Sequence, residues 1–350
     1  MPSDKNNFPK TTMDLFQPRV PEDKQHPIFK MILHKRYRAE RAVLQGWADS
    51  FIDRDGKFVQ EFQTTFESGL WELYLSAALR EWRLPVDMQY HAPDFVVGGQ
   101  YPFGLEATIA APAAGGKPAY GYSVEDCPDD FTQFNIESTL RICNSFDAKV
   151  KRHRKYYSSL QHMSGRTFVI GIAAFDRPLA HFAASRPVVA ALYGRYYDEA
   201  GTSPNAQKVT SYNVSSAPKN ENTSIDVGLF CDDTYSDVAA VIYSSLVTWG
   251  KVRALADNPD ARTVYTTFHP AEGQLKANVR TSLKREYSEH LLDGLYVFHN
   301  PFAHQPLPPC IFDHPRITQM TMAPDGELLG VGPSDFLLAR MLNSIVERES

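Results

Sequence analysis

Residues Trp71 to Thr108 read WELYLSAALREWRLPVDMQYHAPDFVVGGQYPFGLEAT, and the reading of this stretch decides the fold. Its first part keeps apolar residues at three- and four-residue steps and carries Glu72, as an amphipathic helix does. Pro93-Asp94 follows and, beyond the turn residues Gly98-Gly99, so does Leu105-Glu106-Ala107-Thr108. Acidic side chains on two neighbouring strands joined by such a turn put two hard oxygen ligands on one edge of a sheet. That donor set suits Mg²⁺ or Mn²⁺. It is a hydrolase pattern, and among hydrolases a nuclease pattern first.

Working outward, the helical spacing spans Phe62 to Trp82, with Phe66, Leu70, Leu73, Ala77 and Trp82 on one apolar face and Glu72 beside it. Glu67 lies five residues before Glu72, about 140° away in helical rotation, so phase alone leaves both acids as candidates for the inward position. Leu84–Tyr90, Asp94–Val97 and Pro102–Ile109 read as three strands of a meander. The Gly-, Pro- and Ala-rich segment from Pro112 to Asp130 reads as a long surface loop at the end of the Glu106 strand, a place where lids form. A second long helix is predicted from the recurrence of Ile136, Leu140, Cys143, Phe146, Val150, His153, Tyr157 and Leu160. Thr167–Phe175 is the most strand-like run of the chain.

On either side the pattern is less regular. Pro2 to about Gln25 reads as an extended arm, and Ala39–Phe51 as a helix. Val188–Tyr197 looks helical, Gly201–Thr223 reads as a polar loop, and Asp237–Val247 as a buried strand or helix. Further elements are expected at Gly294–Phe298 and Arg316–Met322, with a closing helix from Pro333 to Arg348. The expected division is an N-terminal arm and helix over 1–58, a core over 59–180 and a C-terminal region over 181–350 packed on that core.

The chain has 350 residues, 43% of them hydrophobic and 22% charged, which excludes extended disorder away from the ends. A formal charge of −5 means that contact with an acidic polymer has to come from a local patch. Cys127, Cys143, Cys231 and Cys310 are scattered without a Cys-x-x-Cys pair, so they read as reduced thiols of a cytoplasmic protein. The polar, Pro-rich N-terminus and the lack of a long apolar run indicate neither export nor a membrane span.

The motifs resemble the PD-(D/E)XK nuclease superfamily, over about Phe62 to Phe175. The resemblance implies an α/β, restriction-endonuclease-like αβββαβ core with a mixed central sheet, here followed by a C-terminal α+β extension. It makes Asp94 and Glu106 metal ligands for Mg²⁺ (or Mn²⁺) and Glu72 the helix acid, with metal-dependent cleavage of nucleic acid, DNA by default. The departure is Thr108, which stands where the superfamily has a lysine beside the attacking water. A hydroxyl supplies no positive charge to a developing phosphorane, so the lysine role passes to Lys149 or Lys151 on the second helix, or activity is weakened. More narrowly, Trp71–Leu75, Ala92–Phe95, Leu105–Thr108, Gly165–Ile172, Phe298-His299-Asn300-Pro301 and Pro306-Leu307-Pro308 are similar to a bacterial group that shares the Glu-Ala-Thr variant.

Of the basic run on that helix, Lys151, Arg152, Arg154 and Lys155 are candidates for phosphate contacts and Tyr156 for base stacking, whereas Tyr157 falls at a core position. The bland reading of such a run is a solvated flank. His269, His299 and His304 lack metal-site spacing, Asp232-Asp233 and Asp257/Asp260 lack a calcium-loop pattern, and Ser158-Ser159 lacks a nucleophile elbow. The competing readings are a nucleic-acid-binding or sensing protein that keeps the fold without the chemistry, and a hydrolase of a non-nucleic phosphoester. A homodimer would suit double-strand cutting.

Overall fold

The computed structural model describes residues 13–203, 205–220, 222–272 and 275–344; residues 1–12 of the expected arm and the last residues of the expected closing helix lie outside them. Helices α1 (Pro27–Ile32), α2 (Arg38–Ala48), α3 (Phe58–Thr64) and α4 (Phe66–Glu81) precede β1 (Val86–Asp87), β2 (Phe95–Val97) and β3 (Phe103–Ala110). Then come α5 (Phe131–Lys155), β4 (Thr167–Ala174) and α6 (Arg186–Tyr193). Two hairpins follow, β5 (Arg195–Asp198) with β6 (Thr210–Asn213), and β7 (Ser216–Asn220) with β8 (Thr223–Asp226). The chain continues through β9 (Val238–Ser244), α7 (Trp249–Leu255), β10 (Thr263–His269) and β11 (Asn278–Leu283). It reaches β12 (Tyr296–His299), β13 (Thr318–Met322), β14 (Leu328–Val331) and β15 (Ala339–Ser344).

The architecture is mixed α/β around one eight-stranded mixed sheet, in the order β1-β2-β3-β4-β9-β12-β13-β14. The meander β1-β2-β3 is antiparallel, as its turn residues predict, while β3, β4 and β9 run parallel. Every residue of β4 and β9 is buried, which is what apolar runs covered on both faces become. On one face Leu70, Trp71 and Leu75 of α4 pack against Val169, Ala173 and Ala239. On the other, Cys143, Phe146 and Val150 of α5 pack against Ile170, Ile172 and Val241. Burying a side chain such as Phe146 contributes about 1.5–3 kcal/mol. A smaller sheet, β11-β10-β15, stands apart from the large one.

Two glycines set how α4 sits. A Cβ on Gly69 would come within 2.9 Å of the Phe62 ring, and one on Gly171 within 2.8 Å of Leu75 Cδ1. Without them α4 approaches both α3 and β4, and the indole Nε1 of Trp71 donates to Gly171 O at 3.0 Å.

Several expectations need correction. The helix predicted over Phe62–Trp82 is two helices, broken at Thr65, whose φ of −128° and ψ of 60° are not helical. The helix predicted through Tyr197 stops at Gly194, which takes φ +58° with Val214 O 2.6 Å from where a Cβ would stand; Arg195 onward is strand. The polar loop of 201–223 contains hairpin strands. Asp237–Val247 resolves as the strand β9. The closing helix over Pro333–Arg348 is, in its described part, the strand β15, paired along its length with β10. A short apolar run takes the conformation its neighbour can pair with, and that neighbour is about 70 positions earlier in the chain. Leu15 of the N-terminal arm is fully buried, and Gln63 Nε2 donates to Leu15 O and Gln17 O at 3.2 and 2.8 Å. No helix among the described residues is long and apolar enough to cross a membrane.

Candidate active site

β2 pairs with β3 only from Phe103 to Leu105, so β3 has a free edge from Glu106 onward. The register continues to Asp94, which directly precedes β2. Its carboxylate takes the place of a strand partner, accepting the N–H of Ala107 at Oδ2 (2.8 Å). The short β2 thus puts one acid beside the backbone of the strand that carries the other.

Arg54, from the segment between α2 and α3, fixes this corner. Its guanidinium donates to Tyr90 O, to Pro93 O at 3.3 Å and to Asp94 Oδ1 at 3.4 Å. His162 Nε2 meets Ala92 O at 2.6 Å on the other side of the Ala92–Pro93 bond, which is cis.

Glu106 is buried on the face of the sheet covered by α5. Lys149 Nζ and the Tyr157 hydroxyl both donate to its Oε1 at 2.8 Å. Ser145 Oγ donates to Ile109 O at 2.9 Å and brings that helix against the strand. Glu72 comes from α4 on the opposite face. Burial, and then the charge of Asp94, push its carboxyl up to about 8. Asp94 is raised to about 6, first by burial and then by Glu106. Three carboxylates face two cations, Arg54 and Lys149, leaving an excess negative charge that disfavours ionisation of the innermost acids. A divalent cation would relieve this, and an all-oxygen carboxylate set is of the kind Mg²⁺ or Mn²⁺ takes, so the donors fit such an ion.

Of the two candidate lysines, only Lys149 reaches the acids. Lys151 is 74% exposed and pairs with Asp147 at 2.6 Å, because two helical residues turn it about 200° from Lys149. Thr108 is half-buried, one strand alternation beyond Glu106 on the same face, and Lys149 contacts Glu106. Glu67 is excluded as the inward acid: it lies 3.3 Å from His26, away from the other acids. Arg152 lies over the Tyr157 ring at 5.4 Å, and Arg154 is tied to Asp237 at 2.6 and 2.8 Å. Lys155 and Tyr156 are exposed, Tyr156 next to His91.

Sequence reasoning missed two members. Arg54 sits in Asp53-Arg54-Asp55-Gly56, a stretch with no signal beyond a turn. Tyr157 does take the core position its spacing implies, being 1% exposed, yet its hydroxyl also reaches Glu106; α5 ends at Lys155, and Tyr157 follows in a 3-10 turn.

A different chemistry gathers at the C-terminal end of α4. Among the described residues, Glu81, His290 and His314 form a set of three metal-ligand types whose donor atoms all lie within 4.8 Å of one another. A nitrogen-rich set of this kind suits a transition metal and not Mg²⁺. Both Nδ1 atoms accept backbone N–H groups, of Leu292 and Arg316 at 3.2 Å, and Nε2 of His290 lies 3.4 Å from Glu81 Oε1. His269 and His299 are buried with their own partners, Asp335 O and Thr267 for the first and Gln319 for the second.

No protein-family model, no curated protein and no solved structure matches this chain.

Proposed function

We propose that the protein is a metal-dependent phosphodiesterase acting on nucleic acid, a restriction-endonuclease-like nuclease whose lysine has moved from the strand to α5. The observation that carries this reading is the Lys149 ammonium at 2.8 Å from Glu106 Oε1, where a lysine on the strand is replaced by Thr108. In order, α4, β1, β2, β3, α5 and β4 follow the αβββαβ succession such a core requires.

Asp94 and Glu106 would hold Mg²⁺ or Mn²⁺, which supplies an electrophile for a phosphoryl oxygen and a water of lowered pKa. The chain's own groups do the rest. Lys149 places a positive charge beside Glu106, where it stabilises the negative charge that develops on the phosphoryl group. Tyr157 fixes the Glu106 oxygen that Lys149 shares, and Arg54 fixes Asp94. Glu72, protonated near neutral pH and facing Asp94, is placed to exchange a proton with the reacting water. Lys151, Arg152, Lys155 and Tyr156 on the end of α5 would meet the polymer backbone and bases beyond the cleaved bond.

One observation favours a second reading, nucleic-acid binding without cleavage: Arg54 and Lys149 already sit on Asp94 and Glu106 as counter-ions. The deciding experiment titrates Mn²⁺ calorimetrically into the wild type and into Asp94→Asn/Glu106→Gln, and assays plasmid and single-stranded DNA and RNA in the same buffers. Metal binding and cleavage lost together in a folded variant support the nuclease. Nucleic-acid binding that survives chelation, with no cleavage by the wild type under any metal, supports the second reading.

A further inference from the structure

A cavity of about 410 Å³ opens at the C-terminal ends of the parallel strands β3, β4 and β9. Phe175 directly follows β4, Leu246 follows β9 closely, and Tyr120 and Tyr122 belong to the long loop after β3; all four line it. In parallel sheets the crevice beyond the carboxyl ends of the strands is where ligands bind. Neither Glu72, Asp94, Glu106 nor Lys149 lines this cavity, so it is separate from the acidic corner.

Its chemistry is uneven. The body is apolar and aromatic, with Phe66, Phe175 and Trp249 in the walls, and pockets that hold small molecules run to about 300–1,000 Å³ with such linings. The loop over it is held down at Tyr120, whose ring meets His26 edge-on at 4.5 Å. At one end the wall includes Arg340, 3% exposed. Its Nη1 donates to both oxygens of Glu289 at 2.6 Å and its Nη2 to Leu246 O at 2.9 Å, while its Nε–H is buried without an acceptor.

The same Glu289 carboxylate also serves Lys251, which is fully buried, and accepts the Tyr287 hydroxyl at 2.7 Å. Two buried basic side chains therefore share one carboxylate; Lys251 also donates to His290 O and Asp293 O, and the Arg340 guanidinium is left with an unpaired Nε–H next to an apolar space. Burying a charged donor without an acceptor is costly, so an anion at this end would be held strongly. Burial pushes the Tyr122 hydroxyl up against the opposing charge of Arg340, and burial, with Arg340 adding to it, lowers His181, so the Arg340 charge is felt in the cavity. His181 lies in the wall, half-buried, with no hydrogen bond to its ring among the described residues, and burial keeps it neutral. Its imidazole is free to donate to a ligand oxygen. Arg253 also lines the wall, with the buried Glu40 carboxylate 3.9 Å away as its counter-ion and its Nη atoms donating to Ser344 and Thr263, and Glu67, the one carboxylate among the lining residues, is paired with His26.

We propose that this cavity binds a small aromatic carboxylate, its ring between Phe66, Phe175 and Trp249 and its carboxylate toward Arg340 and His181. The inference does not depend on the nuclease reading.

Arg340 neutralises Glu289, so replacing it threatens folding, and the charge requirement is tested on the ligand instead. Calorimetry on the full chain compares 2-naphthoate with 2-naphthol, which keeps the rings and loses the charge. It is repeated on Ile28→Trp, which fills the cavity from the half-buried lip, and on His181→Ala. Binding of 2-naphthoate is expected, with 2-naphthol about tenfold weaker or more, as loss of a charge-assisted hydrogen bond implies. Ile28→Trp is expected to abolish binding with an unchanged circular-dichroism spectrum, and His181→Ala to weaken it. Failure of 2-naphthoate to bind at millimolar concentration overturns the proposal. So does equal binding of 2-naphthol, or 2-naphthoate binding that Ile28→Trp leaves unchanged.

Discussion

Lys149 Nζ lies 2.8 Å from Glu106 Oε1, although 43 positions of chain and the whole of the long loop after β3 separate the two residues. The contact joins a helix to a strand across the face of the sheet, and puts a cation on Glu106 that the strand itself, with Thr108 two residues on, does not supply. Its consequences for the proposed reaction differ sharply from those of the neighbouring Lys151.

Replacing Lys149 with Met is expected to lower metal-dependent cleavage about 10²–10³-fold, the effect of removing one transition-state donor, while Mn²⁺ binding persists. Lys151→Met, on the exposed side of the helix, should cost little. Equal losses in both variants would mean that the run acts as a diffuse basic flank, with no special role for Lys149.

Glu72 gives a pH signature. Its carboxyl is raised to about 8 in the folded chain from an ordinary 4.5, so the folded state holds this proton more tightly than the unfolded one. Its contribution to stability is complete below the unfolded value and falls as pH rises through the window from about 4.5 to 8. Glu72→Gln is therefore expected to melt higher than the wild type at pH 8.5–9, by several degrees for each couple of kcal/mol, and to lose that advantage near pH 5. Saturating Mn²⁺ should narrow the gap in the wild type's favour. Melting curves over that pH range, with and without metal, provide the measurement.

Tyr157→Phe removes one hydrogen bond to Glu106 and leaves the ring in place against Phe168. A stability loss of about 0.5–1.5 kcal/mol is expected from urea unfolding, because Lys149 still serves the same oxygen. Cleavage should fall less than in Lys149→Met.

Gly171→Ala inserts a methyl 2.8 Å from Leu75 Cδ1, between α4 and β4. Overpacking of about 1–3 kcal/mol is expected. The helix that moves to accommodate it carries Glu72, so the pH signature above should shrink in this variant as well, a pairing of effects that melting curves of the double variant Gly171→Ala/Glu72→Gln would show.

The elements around the acids were legible in the sequence because each depends on local pattern. Helical spacing places Glu72 on α4, Gly98-Gly99 turns β2 back onto β3, and the apolar run from Thr167 is buried on both faces. Where neighbours in space decide, sequence reading failed. The run after Pro333 became a strand because β10 offered it an edge, and the polar segment after Gly201 formed strands by pairing back onto β5 and forward onto β8.

The sequence by itself determined the presence of three acids in the order helix, strand end, strand, a threonine at position 108 where the motif it resembles has a lysine, and a choice between two lysines on the second helix. Only the tertiary structure decided that Lys149 is the one that reaches Glu106, that Glu67 belongs elsewhere, and that Arg54 and Tyr157 complete the corner. The physical reason is range. Periodicity and turn chemistry act over a few residues, whereas the field at a buried carboxylate is set by whichever side chains the packing of helices on a sheet brings within a few ångströms, from any point along the chain.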